Sequence, residues 1–208
     1  MLIVNYAFQH VRSLDLGVVG KSWNSGDYLG EQLFILEIFA RRHTLTRLWL
    51  SRFPFLSIES SQTVKIRDIV TAFGSTISDL GLYGCKFTSY TEMISLIRAF
   101  PHCDTLYIRD CVTDGGNTAG NVFSGLREHK LSLNVLELTC DSSNRSTIDV
   151  SNFIRDACLD VSRLSTLICC PRSVEQARSV AISVSVSPIQ HLQLACTEPG
   201  GFQGTYEN

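Results

Sequence analysis

The chain has 208 residues, of which 44% are hydrophobic and 18% charged, and its net charge is −2. This composition predicts a globular protein, and the small negative charge argues against nucleic acid or an anionic membrane as a partner. No apolar run reaches the roughly 18 residues of a membrane span, and the N-terminus lacks a secretory signal pattern, so we expect a cytoplasmic or nuclear protein.

A short hydrophobic module recurs along the chain. Each copy has an apolar residue, two further residues, a leucine, one residue and a final apolar residue. The seven copies cover residues 11–16, 45–50, 77–82, 103–108, 133–138, 164–169 and 189–194. Their central leucines, residues 14, 48, 80, 106, 136, 167 and 192, are 34, 32, 26, 30, 31 and 25 residues apart. Each copy is predicted to be a strand, and the near-constant interval indicates a repeat protein.

The segments between the modules have the helical period instead. A first helix is predicted at about 28–42, with Leu29, Leu33, Leu36 and Phe39 facing inward. Further helical patterns cover residues 66–73, 90–97, 119–126 and 150–161. Capping boxes at 89–92 and 173–176 predict two helix starts, whereas the segment 183–187 fits either a helix or a strand.

Two architectures alternate strands and helices in this way: a sheet covered by helices on both faces, and a solenoid with its strands on one side. Polar and aromatic residues between and beside the leucines favour the solenoid, because one face of the sheet must then be in water. We therefore predict an α/β fold, a leucine-rich-repeat solenoid (horseshoe) of about seven parallel strands alternating with helices. It would form a single domain over residues 1–196, followed by a flexible C-terminal tail over 197–208.

The module is similar to the leucine-rich-repeat consensus L-x-x-L-x-L-x-x-N/C. Cys85 and Cys111 occupy its final position, where a buried thiol would support the turn that leaves the strand. Cys140 and Cys196 come one residue early. The eight cysteines include no C-x2-C pair, so we expect reduced, mostly buried thiols and no metal site.

No motif in the sequence points to catalysis. The segment Gly17 to Ser22 resembles the end of a phosphate-binding loop, but Asp15 stands where the first glycine is required and a turn sequence follows. We predict a protein that is not an enzyme and needs no cofactor. A small α/β enzyme whose site assembles from the loops is the alternative from another functional class.

The predicted wet face of the sheet is the candidate binding surface. Trp, Tyr and Arg are enriched at binding hot spots because they bury a large area at a small cost in entropy. The candidate partner-binding residues are Arg47, Trp49, Asp79, Tyr83, Tyr107, Arg109, Glu137 and His191. They predict a protein–protein interaction domain.

The segments 77–85 and 97–108, in which a helix ends at Phe100-Pro101 before the next strand, resemble the repeat region of fungal F-box proteins. The resemblance covers residues 11–196. It implies recognition of a substrate for a ubiquitin ligase, in which an F-box binds a Skp-type adaptor and through it a cullin. Only about ten residues precede the first module here, too few for an F-box, so we expect a ligase link only if an F-box is supplied upstream. A stand-alone leucine-rich-repeat scaffold or inhibitor is the alternative.

Overall fold

The structure, a computed structural model, describes residues 10–17, 29–53, 55–113, 122–123, 125–127, 129–139, 148, 150–171, 173–195 and 203–207. The α-helices in these ranges are α1 (Leu29–Ala40), α2 (Ser60–Gly74), α3 (Tyr90–Arg98), α4 (Val150–Asp156) and α5 (Val174–Ser183). The strands are β1 (Ser13–Gly17), β2 (Arg47–Ser51), β3 (Asp79–Tyr83), β4 (Lys86–Phe87), β5 (Thr105–Arg109), β6 (Val112–Thr113), β7 (Val135–Thr139), β8 (Thr166–Cys169), β9 (His191–Ala195) and β10 (Gln203–Glu207). Short 3-10 helices lie at Phe55–Ser57 and Val161–Arg163.

Seven of these strands form one parallel sheet in the order in which they occur in the chain, β1-β2-β3-β5-β7-β8-β9. Each includes the central leucine of one of the seven predicted modules, so the prediction of an α/β fold with about seven parallel strands is confirmed. The strands pair in register: the central leucines are Cα partners from Leu14 through Leu80 to Leu192. The short strands β4 and β6 pair with each other in a second parallel sheet.

One hydrogen-bond pattern recurs at the start of six successive strands. The carbonyl oxygen of Ser78, for example, accepts bonds from the amides of Asp104 and Thr105 at 2.8 and 3.0 Å. The carbonyls of Arg12, Thr46, Asp104, Asn134 and Ser165 each accept two amides of the next repeat in the same way, at 2.8 to 3.1 Å. These hydrogen bonds fix the register of each strand against the next, so the side-chain rows of the sheet are aligned.

The two faces of the sheet differ in burial. The central leucines of β3, β5, β7 and β8 are fully buried. Leu36 of α1, Ile66 of α2 and Leu96 of α3 line the same small internal cavity as Leu48 and Leu80, so these three helices cover the leucine face. The alternate residues of the strands point to the opposite face, which we call the polar face.

Several predicted helices lie where the sequence placed them. The first helix is α1, and Leu29, Leu33, Leu36 and Phe39 are all buried in it. Ser89 caps α3 by accepting a hydrogen bond from the amide of Glu92, and Ser173 caps α5 in the same way. After Ser183 the chain turns, so the ambiguous segment 183–187 does not form a strand.

Two other helical predictions differ from the structure. The described residues of 119–126 form turns, although Val122 and Phe123 are buried as expected. Tertiary contacts hold them: Arg67 of α2 donates a hydrogen bond to the carbonyl of Val122, and the ring of Phe123 meets that of Phe55 edge-on at 5.8 Å. The helix predicted over 150–161 ends at Asp156, before Cys158 adopts the left-handed conformation (φ 51°).

The segment expected to be a flexible tail contains a strand. Residues Gln203–Glu207 form β10, which pairs antiparallel with β9 at the end of the sheet. The physical reason is the row of unpaired backbone groups that β9 would otherwise present at its edge.

The predicted burial of Cys85 and Cys111 is confirmed. Both are buried, and their thiols donate to the carbonyls of Leu50 and Leu82 in the preceding strands, at 3.1 and 3.4 Å. Cys140 and Cys196 lie outside the described residues. Of the helices that the structure describes, none has the length and apolar character needed to cross a membrane.

Candidate functional site

The candidate partner-binding residues all lie on strands of the large sheet, at positions that alternate with the buried leucines. Arg47 and Trp49 belong to β2, Asp79 and Tyr83 to β3, Tyr107 and Arg109 to β5, Glu137 to β7, and His191 to β9. Because the strands are in register, these positions form three rows across the polar face. Arg47 and Asp79 lie in the first row, Trp49, Tyr107 and Glu137 in the middle row, and Tyr83 and Arg109 in the last row.

Trp49 is the centre of this group. Its indole nitrogen donates a hydrogen bond to an oxygen of Asp79 at 3.0 Å, and its ring centroid lies 5.4 Å from that of Tyr107. Between these aromatic residues, in register with both, is Gly81. A Cβ atom at Gly81 would lie only 2.9 Å from atoms of the indole ring, so the indole lies directly against the backbone of β3.

Sequence reasoning did not include Gly81 in the site. A signal for it was present, since a glycine inside a strand often marks a place where another group approaches the backbone closely. What the sequence did not show is which group approaches.

Arg47 and Asp79 fix the position of the indole. The guanidinium of Arg47 donates from Nε and Nη2 to one oxygen of Asp79, each at 2.8 Å, and lies 5.9 Å from the indole centroid. The other Asp79 oxygen accepts from Trp49. Asp79 is mostly buried whereas the Arg47 side chain is about half exposed, so an arginine and a tryptophan are held in place by one carboxylate.

Arg109 and Glu137 form a second ion pair. Nε of Arg109 donates to Glu137 at 2.5 Å, and the Thr139 hydroxyl donates to the same oxygen at 3.3 Å. The hydrogen bond between Arg109 and Glu137 raises the pKa of Arg109 above its ordinary value. Glu137 is only 4% exposed, so its carboxylate orients Arg109 and is not itself presented to a partner.

The phenol of Tyr107 interacts with the charges of both ion pairs. Burial raises its pKa, the charges of Asp79 and Glu137 raise it further, and those of Arg47 and Arg109 oppose them. The phenol therefore stays neutral at ordinary pH and keeps its proton for donation.

His191 is the one predicted residue that the sheet does not bring to this group. Strand β8 lies between β7 and β9, with Thr166 as the Cα partner of both Val135 and His191. His191 is thus two strands beyond Glu137, roughly 10 Å away.

The thiols and carboxylates of the described residues suggest no second chemistry. Among these residues no group of three or more His, Cys, Asp or Glu side chains could hold a metal ion. Burial raises the pKa of Cys103 to about 12, and a hydrogen bond with Cys85 together with burial raises the pKa of Cys111. Both thiols are therefore held protonated, which disfavours nucleophilic attack and metal binding.

A groove of about 560 Å³ lies between α1 and α2, and part of its lining is charged. Glu37 of α1 forms ion pairs with Arg41, directly after this helix, and with Lys65 of α2. Asp68 also lines the groove, so its two acidic residues balance its two basic residues.

Comparison with models of known protein families, with curated proteins and with solved structures finds no match for this chain. The resemblance to fungal F-box proteins therefore depends only on the residues quoted for it, and stays a prediction.

Proposed function

We propose that this chain is a leucine-rich-repeat solenoid that binds another protein through its polar face. The solenoid is supported by seven parallel strands that follow chain order in register, by the hydrogen-bond pattern repeated at six strand starts, and by helices that cover the leucine face. Chains built from repeats of this kind use an open row of strands as an extended binding surface.

The observation that carries the proposal is the group formed by Arg47, Trp49, Tyr107 and Arg109. Two aromatic side chains lie in contact and are flanked by two half-exposed arginines, each held by a carboxylate of the sheet. Such side chains contribute most to binding when they are fixed before the partner arrives, because less conformational entropy is then lost on association.

Within this function, we propose substrate recognition for an F-box-type ubiquitin ligase. Support comes from the resemblance of residues 77–85 and 97–108 to the repeat region of fungal F-box proteins. Binding of a Skp-type adaptor and a cullin would require an F-box upstream of this chain.

The test is affinity capture of the tagged chain from a lysate of its source cells in the presence of proteasome inhibitor, followed by mass spectrometry. The variant is W49A/Y107A, which removes both aromatic rings from the polar face. We expect it to lose the proteins captured by the wild type, while its circular-dichroism spectrum still shows a folded chain. The matched control is R41A, which changes an exposed arginine directly after α1, on the helical side of the sheet.

Capture of the same proteins by W49A/Y107A would contradict the proposed binding face. Loss of capture by R41A as well would mean that the loss seen with W49A/Y107A is not specific to the polar face, and the proposal would lose its support. Recovery of a Skp-type adaptor and cullin with the wild type would support the ligase proposal, whereas a stoichiometric partner without ligase subunits would favour a stand-alone scaffold or inhibitor.

A further inference from the structure

Four neighbouring residues in the last row of the polar face carry side-chain hydrogen-bond donors, and the fifth residue of the row, Gly17, has no side chain. Ser51, Tyr83, Arg109 and Thr139 occupy the carboxyl ends of four adjacent parallel strands and are Cα partners across the sheet. The two outer residues of these four already form hydrogen bonds, Ser51 with Asp15 and Thr139 with Glu137. The two central residues, Tyr83 and Arg109, are 43% and 52% exposed.

Arg109 is oriented but not saturated. Its Nε donates to Glu137, and its terminal nitrogens form no hydrogen bond with any residue that the structure describes. A guanidinium has five N–H donors in a fixed plane, and its terminal pair matches the two oxygens of a carboxylate. Since Glu137 is buried and the guanidinium is exposed, the group presented to solvent at this point is the positive one.

Negative charges near Arg109 weaken the electrostatic attraction that its guanidinium can exert on a distant anion. Asp110 lies near Arg109, and the exposed Asp15 is three strands away, roughly 14 Å. An anion would therefore be held by direct hydrogen bonds to Arg109 and Tyr83, and not by a broad positive field.

We propose that Arg109 and Tyr83 bind the side-chain carboxylate of an acidic residue in the partner, beside an apolar side chain that packs on Trp49 and Tyr107. This inference rests on the proposed function. Tyr107 and Arg109 are two residues apart on β5, roughly 7 Å, which is the spacing of side chains at positions i and i+2 of an extended peptide. Arg109 is the last residue of β5, so a segment that runs along this strand leaves the sheet beyond it, and we take the acid to be a side chain within the partner and not a chain terminus.

The test uses a phage library of random twelve-residue peptides selected on the immobilised full chain. Each peptide is fused through its carboxyl end, so that only side-chain carboxylates are available. We expect the selected peptides to contain Asp or Glu within two positions of a bulky apolar residue. Replacing that acid by its amide in a synthetic, C-terminally amidated peptide should weaken binding about tenfold or more, as measured by fluorescence polarisation.

The variant R109Q/E137Q removes both charges of the ion pair together, so that no buried carboxylate is left without its partner. On this variant we expect the acid-to-amide replacement to change the Kd less than twofold, since the group that distinguishes the two peptides is gone. Y83F removes only an exposed hydroxyl and should weaken the acidic peptide several-fold. The control R41Q should bind as the wild type does.

Selected peptides with basic residues at this position, an acid-to-amide replacement without effect on the wild type, or no selected peptide at all would each overturn the inference. Peptide binding that depends on Trp49 and Tyr107 but not on Arg109 would overturn it and leave the proposed function standing. Peptide binding unchanged in W49A/Y107A as well as in R109Q/E137Q would count against both.

Discussion

At the scale of single residues, the position of Trp49 depends on the missing side chain of Gly81. The indole lies against Gly81 because that residue has no Cβ, and it is then held by Asp79 and touches Tyr107. Any side chain at position 81 must push the indole away from β3. The arrangement of the candidate site therefore depends on a residue that could make no side-chain contact of its own.

We predict that Gly81→Val displaces the indole, breaks its hydrogen bond to Asp79 and lowers the free energy of unfolding by about 1–3 kcal/mol, the usual cost of overpacking. Urea unfolding gives the stability, and near-ultraviolet circular dichroism reports the altered indole environment. Gly30→Ala is the control: a Cβ there meets nothing within 4 Å, so this helical alanine should be neutral or slightly stabilising. Equal effects of the two variants would contradict the predicted clash.

Cys103 predicts a dependence of stability on alkaline pH. Burial raises the pKa of its thiol from 9.0 to about 12, so between these values the folded chain keeps a proton that the unfolded chain loses. Its contribution to stability is therefore complete below pH 9 and is lost as the pH rises toward 12. Between pH 8 and 10 the wild type should lose about 1 kcal/mol more than Cys103→Ala.

This difference can be measured by urea unfolding of both proteins under reducing conditions at the two pH values. Parallel pH profiles for the wild type and Cys103→Ala would show that the thiol does not have the raised pKa.

At the scale of elements, the start of α3 shows how a capping motif is realised inside the fold. Ser89 accepts from the amide of Glu92 at 3.1 Å, as the predicted capping box requires. The Glu92 carboxylate, however, accepts from the amide and hydroxyl of Thr88, one residue before the cap, at 2.8 and 2.7 Å. Ser89 and Glu92 are both buried, so their side chains supply hydrogen bonds to backbone amides that water cannot reach at this helix end.

We expect Ser89→Ala to destabilise the protein by about 1 kcal/mol, because the amide of Glu92 loses its acceptor in a buried position. Chemical denaturation measures the effect. Ser162→Ala, which changes an exposed serine, serves as the control and should cost less than about 0.5 kcal/mol. A Ser89→Ala variant as stable as the control would mean that another group caps the helix.

Elements differ in how well local sequence predicts them. In α1 the four residues of the helical pattern, Leu29, Leu33, Leu36 and Phe39, are all buried, and the predicted helix is present. The pattern over 119–126 has the same period, yet its described residues form turns. Contacts with Phe55 and Arg67, both distant in sequence, hold Val122 and Phe123 in the core without a helix. Periodicity identifies which residues are buried, and tertiary contacts decide the backbone that buries them.

At the scale of the whole molecule, the central leucines form one row across seven strands, and the position in the row sets the burial. Leu80, Leu106, Leu136 and Leu167 are fully buried, whereas Leu14 and Leu192, on strands near the ends of the sheet, are only partly buried. An inner leucine has a described repeat on each side, whereas Leu14 and Leu192 have a described repeat on one side only.

A series of Leu→Ala variants should therefore show a graded cost. We expect the four inner positions to lose about 2–5 kcal/mol each, and Leu14 and Leu192 distinctly less, because partly exposed side chains leave smaller cavities. Leu80→Asp should unfold the chain, since it buries a charge without a partner. Thermal or urea unfolding measures the series, and a uniform cost at all positions would contradict it.

The sequence alone determined the repeat, the seven strands, the buried face and the candidate residues of the polar face, because strand alternation and a fixed repeat interval are local properties of the chain. The tertiary structure decided what those residues do: Glu137 is buried as the support of Arg109, Gly81 receives the indole of Trp49, and His191 lies apart from the group. The reason is physical, since side-chain contacts depend on which strands become neighbours and in what register, and both are set by hydrogen bonds between residues about thirty positions apart.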